Sequence, residues 1–564
     1  MNPPSSNRQI ARAAGTVMFA ILLGQATGLL RGILVARAFP PAELDAFFAA
    51  NRVSETLFTL LAAGALGSAF IPTFTGLLAK GEKNAAWKLA ASIANLLLLT
   101  LTLLAGLAAL LAPQIVRYAL APGLATDPHL FPLTVELLRI QLISAVLFGL
   151  GGLIVGILNA HQIFFIPALT PSMYQLGMIF GVVVLAPHMG IYGLAWGVTL
   201  GAALYLLIQI PSLFQTAAIE SLTSSQPQAL PYQGDRRTGI QVFRITHYAL
   251  RITHYLLRHY PLSLGLQDAS VREVFRLMGP RVLGVAVVQL NFWVNTWLAS
   301  QMAPGSVTGL QYGFSLMLMA QAAIAQSVAI AAMPTFSAQF ALGKLDEMRA
   351  SLSASLRGVL FLALPAAVGL ILLREPVVSL LYQRGQFDAR MTALVAWALL
   401  WYAAGMVGHS IMEVLTRAFY AQHDTRTPVL IGATAMGLNV IFSFAFSALF
   451  TRLGWMPHGG LALANSLATA LEAAALFVTM RKRLDGINGT HLLRGLTLAL
   501  GGTLALSAVL LLTLRFFSGR PAWLLAPGGI LAGSLTYALT LAALHAPEVN
   551  TVKEAFLRRL ARRS

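Results

Sequence analysis

Cysteine is absent from the 564 residues, which excludes a disulfide framework and any thiolate metal site. Charge is almost as scarce: Asp, Glu, Lys and Arg make up 10% of the chain, against roughly 25% in soluble domains, so a water-soluble globular fold is excluded. Acidic residues are the rarer sign, 20 against 38 basic, for a net charge of +18. No Gly-rich loop ending in Lys-Ser or Lys-Thr occurs, which argues against direct ATP drive. No Gly-x-Ser-x-Gly or His-Glu-x-x-His occurs either, and the outer loops are too short to hold a catalytic domain. The chain therefore reads as a non-enzyme.

What is present is apolar length. Hydrophobic residues make up 57% and the mean hydropathy is +0.73, the composition of an integral membrane protein. At about 20 residues per helical span, the sequence predicts an all-α polytopic protein of about fourteen spans: 13–38, 45–78, 84–112, 131–160, 167–187, 190–216, 274–302, 306–341, 350–373, 389–421, 427–450, 459–481, 491–516 and 522–545. Gly64 or Gly67 is the expected bend in the long second span. Basic residues lie between the apolar runs: Arg8 and Arg12, then Lys80, Lys83 and Lys88, Arg236 to Arg276, Arg481-Lys482-Arg483, and Arg558 to Arg563. Alternate loops are poorer in them, which places both termini in the cytoplasm. Such juxtamembrane charge is a topology signal and a lipid-surface anchor, so no nucleic-acid partner is expected. The first apolar stretch continues into Arg31 without a small-residue cleavage site and reads as a retained span.

The chain is also a tandem duplication. Pro72-Thr73-Phe74 returns as Pro334-Thr335-Phe336, and the same spacing of 262 relates Gly81 to Gly343 and Gly123 to Gly385. Ala160 and Pro167 match Ala421 and Pro428 at 261, and Gly193-Leu194-Ala195 matches Gly460-Leu461-Ala462 at 267. Six spans per copy make this a parallel repeat, an arrangement used by transporters. The expected organisation is a six-helix lobe over 1–220, a cytoplasmic linker over 221–270, a second six-helix lobe over 271–485, and two peripheral helices with a basic tail over 486–564. Within the linker, Arg244-Ile245-Thr246-His247-Tyr248-Ala249-Leu250 is followed by its near copy Arg251 to Leu257. A short DNA repeat tolerated in a linker explains it; a basic amphipathic helix on the inner leaflet is the functional alternative. Its two His residues lack carboxylate or cysteine neighbours at a recognised metal spacing.

Ionisable side chains inside a bilayer cost several kcal/mol when unpaired, so those present are informative. Asp45, Arg52, Glu55 and Thr59 fall on one face of the second span, where Arg31 and Gln25 of the first span could meet them. That face is either a substrate wall or an internal Arg52–Glu55 pair with Asp45 near the outer helix end. On the tenth span His409, Glu413 and Arg417 form a second stripe, either an ion-pair ladder or a proton-coupling group. Asn291, Asn295, Asn439, Ser443 and Asn465 offer oxygen ligands to a cation, or ordinary interhelical hydrogen bonds.

The stretch Leu34-Val35-Ala36-Arg37 to Asp45-Ala46-Phe47-Phe48, followed by Gly64-Ala65-Leu66 to Ala69-Phe70-Ile71-Pro72, resembles the opening of the MurJ/MviN lipid II flippases. Similar resemblance attaches to Gly156-Ile157-Leu158-Asn159, Met278-Gly279-Pro280 to Leu283-Gly284-Val285, Leu362-Ala363-Leu364-Pro365, and Ala418-Phe419-Tyr420-Ala421 to Asp424-Thr425-Arg426-Thr427-Pro428. It covers nearly the whole chain outside 217–270. The resemblance implies the multidrug/oligosaccharidyl-lipid/polysaccharide exporter architecture, two six-helix lobes around a central cavity. It implies a polyprenyl diphosphate-linked disaccharide-pentapeptide carried from inner to outer leaflet of the bacterial cytoplasmic membrane by alternating access. It further implies a monomer among membrane lipids, working in peptidoglycan biosynthesis. Arg31 and Arg52 match cationic positions of the family's diphosphate cluster and Asp45 a family acidic residue. Gln25, Phe58 and Ser315 stand where arginine is common, and Glu55 lies one turn from Arg52. The family's sodium sites use a carboxylate in the second lobe, for which Ser443 is the nearest match, so a sodium or proton gradient is the implied drive and no other cofactor is. Two alternatives stay open. One is an exporter of another polyprenyl-linked glycan or a cation/drug antiporter; the other is a non-transporting membrane scaffold.

Overall fold

The duplication is written into the backbone at its turns. A computed structural model describes residues 6–63, 66–216, 263–517 and 519–546. After the second helix of each copy the chain reverses through a glycine with positive φ, Gly81 (79°) and Gly343 (69°). The hydrogen bonds are the same in both: Glu82 N–H to Leu77 O at 3.0 Å, Lys344 N–H to Gln339 O at 2.9 Å. After the fourth helix the reversal uses Gln162 and His423, both with positive φ, closed by Ile163 N–H to Leu158 O and Asp424 N–H to Phe419 O. These are αL helix stops, and each satisfies a carbonyl that the ending helix leaves without a partner. Gly123 and Gly385 keep the spacing but not the shape. Gly123 has φ −65° and starts a 3₁₀ turn, whereas Gly385 has φ 64°.

Between these turns run α1 (Ser6–Ala38), α2 (Pro41–Phe58), α3 (Leu66–Ala79), α4 (Lys83–Leu110), α5 (Leu130–Ala160), α6 (Phe165–Phe180) and α7 (Ile191–Leu207). The second copy has α8 (Ala269–Ser300), α9 (Ser306–Gln321), α10 (Ser327–Ala341), α11 (Leu345–Tyr382), α12 (Ala389–Ala421), α13 (Arg426–Arg452) and α14 (His458–Arg483). α15 (Gly489–Phe516) and α16 (Ala522–Ala543) follow outside the repeat. In both copies a π-helical turn, Thr59–Ala63 and Ala322–Gln326, interrupts the second helix. Each is followed by an in-helix proline, Pro72 or Pro334. Residues 64–65, the linker residues 217–262 with their seven-residue repeat, and the tail from 547 lie outside the described residues.

Among the described residues every regular element is a helix, and twelve are long and apolar enough to cross a membrane, fewer than the fourteen expected. The first and second segments both contain positions outside those whose side chains are described, and the described end of the second, Ala69–Ala79, is a shorter apolar helix. α2 holds Glu43, Asp45, Arg52 and Glu55 within 18 residues, more charge than an apolar span carries.

The helices divide into two compact units, Met1–Ala38 with Ala49–Gln289, and Phe39–Phe48 with Leu290–Ser564. In the first, Phe70, Phe74, Leu89, Leu101 and Ile157 centre an apolar core. There α6 and α7 touch backbone to backbone: a Cβ on Gly181 would lie 2.6 Å from the Gly197 α-carbon, and one on Gly177 would fall on Gly201. Lipid tails are as apolar as leucine, so helices associate through such close packing rather than through water release. Gly193 and Gly460, paired by the repeat, both meet backbone of the preceding helical segment, Ala186 N and Phe446 C. In the second unit α15 and α16 pack on α11, where the Tyr537 hydroxyl donates to Phe361 O at 2.7 Å and Gly529 accommodates Leu373.

Gly197→Leu should cost more than the ~1–3 kcal/mol of ordinary overpacking, because backbone cannot step aside as a side chain does. Gly106→Leu, with nothing within 4 Å of the added Cβ, should leave the thermal midpoint of the purified protein unchanged. Equal midpoints for the two variants would contradict the α6–α7 contact.

Candidate functional site

In the first unit α1 lies against α6 through Gly24 and Gly28, whose Cβ positions approach the Ser172 hydroxyl (3.6 Å) and Gln175 Nε2 (3.5 Å). One turn further on each helix, the Arg31 guanidinium meets Met178, with NH1 3.5 Å from Sδ. A thioether is a weak acceptor, and Arg31 has no carboxylate partner among the described residues. Arg52 pairs with Glu55, NH1 to Oε2 at 2.9 Å, with Arg52 12% and Glu55 47% exposed. The Tyr174 phenol lies within electrostatic reach of both Arg31 and Glu55, so these charges share one neighbourhood. Tyr174 also stacks edge-on with Phe148, which contacts Phe58 and Tyr205. Nothing in the spacing of the sequence singles out Tyr174 or Phe148, because an aromatic on an apolar helix carries no periodic signature. Thr56, from the same turns of α2, donates to Gln289 on α8 at 3.3 Å.

Asp45 stands apart from that group. Its carboxylate is buried in the second unit, where Oδ2 accepts from Gly305 N–H (2.6 Å) and Oδ1 from Thr308 N–H and Oγ1 (both 2.7 Å). It caps the start of α9, satisfying amides that a helix N-terminus leaves open and meeting the positive end of the helix dipole. Gly305 allows this with φ 95°. The seven residues to Arg52 span roughly 10 Å of helix, so the charges gathered around Arg31 are Arg31, Arg52 and Glu55, summing to +1. Gln25 is exposed on α1, and six positions from Arg31 place it roughly 120° around the helix. Ser315 belongs to α9 in the second unit and donates to Gln311 O of its own helix. Thr59 likewise donates to Glu55 O.

The second stripe is paired internally. Arg417 binds Glu413 at 2.9 Å, and His409 Nε2 lies 3.2 Å from Asn465 Oδ1. Asn295, Asn439 and Ser443 come together: the Ser443 hydroxyl lies 3.1 Å from Asn295 Oδ1 and 3.2 Å from Asn439 Oδ1. Asn295 Nδ2 donates to Asn291 Oδ1, and Asn291 Nδ2 to Met436 O. The cluster holds no carboxylate, the one Ser443 proton is shared between two amide oxygens, and Asn439 Nδ2 is a further buried donor. With no carboxylate, the set offers a sodium ion no counter-charge. No group of three His, Asp or Glu that could hold a metal exists among the described residues.

One stretch of the resemblance has a structural explanation. Asp424, in the turn between α12 and α13, accepts from the Arg426 and Thr427 amides (both 3.0 Å), the Thr427 hydroxyl (2.6 Å) and Arg483 of α14 (2.7 Å). Partial burial alone would push its carboxyl up, but the Thr427 and Arg483 contacts bring it down to about 2.

A family model described as "Lipid II flippase MurJ" matches residues 39–526. The lipid II flippase MurJ of Burkholderia cenocepacia is 30% identical over 475 residues, 84% of each chain. The probable lipid II flippase MurJ of Rhizobium tropici is 28% identical over 474 residues, 83% of this chain and 80% of its own. Among solved structures, a lipid II flippase MurJ in an inward closed conformation superposes with TM-score 0.71 at 23% identity, covering 96% of this chain and 99% of that one. An inward-facing multidrug resistance MATE family transporter reaches 0.64 at 14% identity, covering 84% and 98%. At those identities the two structures speak to the fold alone.

Asp45→Ala strands two buried amides, each costing about 1–3 kcal/mol, and should lower the thermal midpoint more than Asp45→Asn, which keeps one acceptor. The Asp424 contribution has a fixed sign. A carboxyl held below its unfolded value of about 3.9 stabilises the fold above that pH and loses the effect as pH falls through about 2. Asp424→Asn should therefore melt earlier than the parent protein at pH 7, and the gap should close progressively below about pH 4. A gap that persists at the acid end would contradict the assignment.

Proposed function

This chain belongs to the lipid II flippase MurJ family, and on that basis we propose that it moves lipid II from the inner to the outer leaflet by alternating access. It is a multi-pass protein of the bacterial inner membrane, and its relatives are transporters rather than enzymes. The family match over 39–526 carries the reading; it also disfavours the drug-antiporter and scaffold alternatives.

The cargo is a diphosphate carrying a long lipid tail, and Arg31 and Arg52 are the groups that bind its phosphates. Support comes from Arg31, which meets only a thioether, and from Arg52, whose partner Glu55 is half exposed and able to turn away. The neighbouring phenol of Tyr174 supplies a hydrogen-bond donor for a phosphate or sugar oxygen. Both termini face the cytoplasm, so the basic loops stay on the side where the membrane potential favours them. That potential contributes about 2.3 kcal/mol per charge per 100 mV, and we assign the coupling to protons rather than sodium, since the Asn295–Asn439–Ser443 cluster lacks a carboxylate.

Expression in a strain depleted of its own flippase, with a leaflet-resolved assay for lipid II, tests the reading. The parent chain should restore growth and outward movement. Arg31→Ala and Arg52→Ala should each reduce flipping at least about tenfold, the factor that 1.4 kcal/mol of lost phosphate binding produces. Glu55→Gln should leave it intact or raise it. Failure of the parent chain to move lipid II in folded, membrane-inserted form would exclude the function.

A further inference from the structure

Helix α14 carries Glu472, the sole carboxylate between Asp424 and Asp485. It is 8% exposed, lies within a segment long and apolar enough to span a membrane, and has no hydrogen bond or ion pair with any described residue. Its head rests against the backbone of α13, where a Cβ placed on Gly432 would be 3.0 Å from Oε1. One turn earlier on the same face, the Thr469 hydroxyl is 1% exposed and likewise without a partner. The antiparallel contact of α13 and α14 is pinned at Gly460 against Phe446 and at Gly432 against Glu472. Between those pins lie Asn439, with its unpartnered Nδ2, and Asn465, which meets His409. These two helices thus carry buried polar side chains within membrane-length segments, and Glu472 is the acid among them.

We propose that Glu472 is a proton-binding group of this transporter, taking up one proton on its carboxylate in one state of the cycle and releasing it in another. A buried carboxylate with no partner is costly as an anion and cheap as an acid, so its charge must follow its surroundings. A metal cation needs a shell of about six oxygens, whereas Glu472 has the Gly432 backbone against its head and belongs to no group of three His, Asp or Glu among the described residues. A proton needs only the carboxylate oxygen itself. The surrounding elements do not neutralise it. α12 brings His409, bonded to Asn465, then Glu413 and Arg417, bonded to each other. α13 has no ionisable side chain between Arg426 and Arg452, and α9 offers only Tyr312. Any movement of α13 past α14 changes the access of water to Oε1, because Gly432 leaves that side of the carboxylate covered by backbone alone. The inference rests on the transport reading for its role in a cycle, but the proton site itself does not depend on the cargo.

The test uses the full chain in vesicles of phosphatidylethanolamine and phosphatidylglycerol. Infrared difference spectra across a pH titration read the protonated carboxyl band, and lipid II flipping is followed in the same vesicles with and without an imposed pH gradient. The parent chain should show a titrating carboxyl band that is lost in Glu472→Gln and shifted, not lost, in Glu472→Asp. Glu472→Gln, close in shape to the protonated acid, should keep its thermal midpoint, and its flipping should no longer respond to the gradient. A band that survives Glu472→Gln unchanged, or that responds to sodium at constant pH instead of to protons, overturns the proposal. Loss of the band in Glu472→Gln together with no lipid II movement by the parent chain would uphold the proton site and reject the cargo.

Discussion

A charged side chain removed from water must find a counter-charge, hydrogen bonds or a proton, and the chemistry of this chain follows from which of these each ionisable residue meets. Asp45 finds three donors at the start of α9, where oriented amides act as a fixed partial positive charge. Glu413 finds Arg417 and Asp424 finds Arg483 and Thr427. Among the described residues Arg31 and Glu472 meet no opposite charge. In a medium where an unpaired ion costs several kcal/mol, these are two places where a ligand or a proton has something to gain.

Close packing supplies the frame that holds these groups in place. Glycines at intervals of four on α6 and α7 let their backbones meet, and the Gly24–Gly28 edge of α1 does the same against α6, setting Arg31 beside Met178. The π-helical turns have a different effect. Each leaves a wider turn in the second helix of its repeat, next to a proline that already removes one backbone hydrogen bond. Both copies keep that combination, so the irregularity belongs to the ancestral unit rather than to one site.

The sequence made the repeat, the helical class and the internal pairs Arg52–Glu55 and Glu413–Arg417 legible, because each depends on residues a fixed distance apart on one element. It misled on Asp45. Its seven-residue spacing from Arg52 satisfies helical periodicity, but periodicity says nothing of which neighbour receives the side chain, and the open amides at Gly305 and Thr308 lie 260 positions downstream. The four charges of α2 set its composition apart from that of a helix facing lipid, and twelve of the fourteen expected spans are long and apolar among the described residues. Tyr174 and Gly432 were invisible, since their roles arise from what lies opposite. Glu472 was visible as a lone acid in an apolar run, yet only the structure shows that no cation comes to meet it.

The arginines of this chain differ in how much binding they have left to give. Arg417 is held by Glu413 with both side chains largely covered, and releasing it would leave a partly buried carboxylate behind, a loss of several kcal/mol. Arg52 is held by a carboxylate that is half exposed, where an ion pair is worth about 0–1 kcal/mol and the released Glu55 is rehydrated. A phosphate oxygen, bearing more charge density than Glu55 and able to bind the guanidinium at two points, displaces it at little cost. Arg31 gives up only a thioether contact. On the proposed function, Arg31 and Arg52 are the two cations offered to one diphosphate although the resting group carries +1, and the test of that reading is whether the Arg52–Glu55 pair opens when the phosphate arrives.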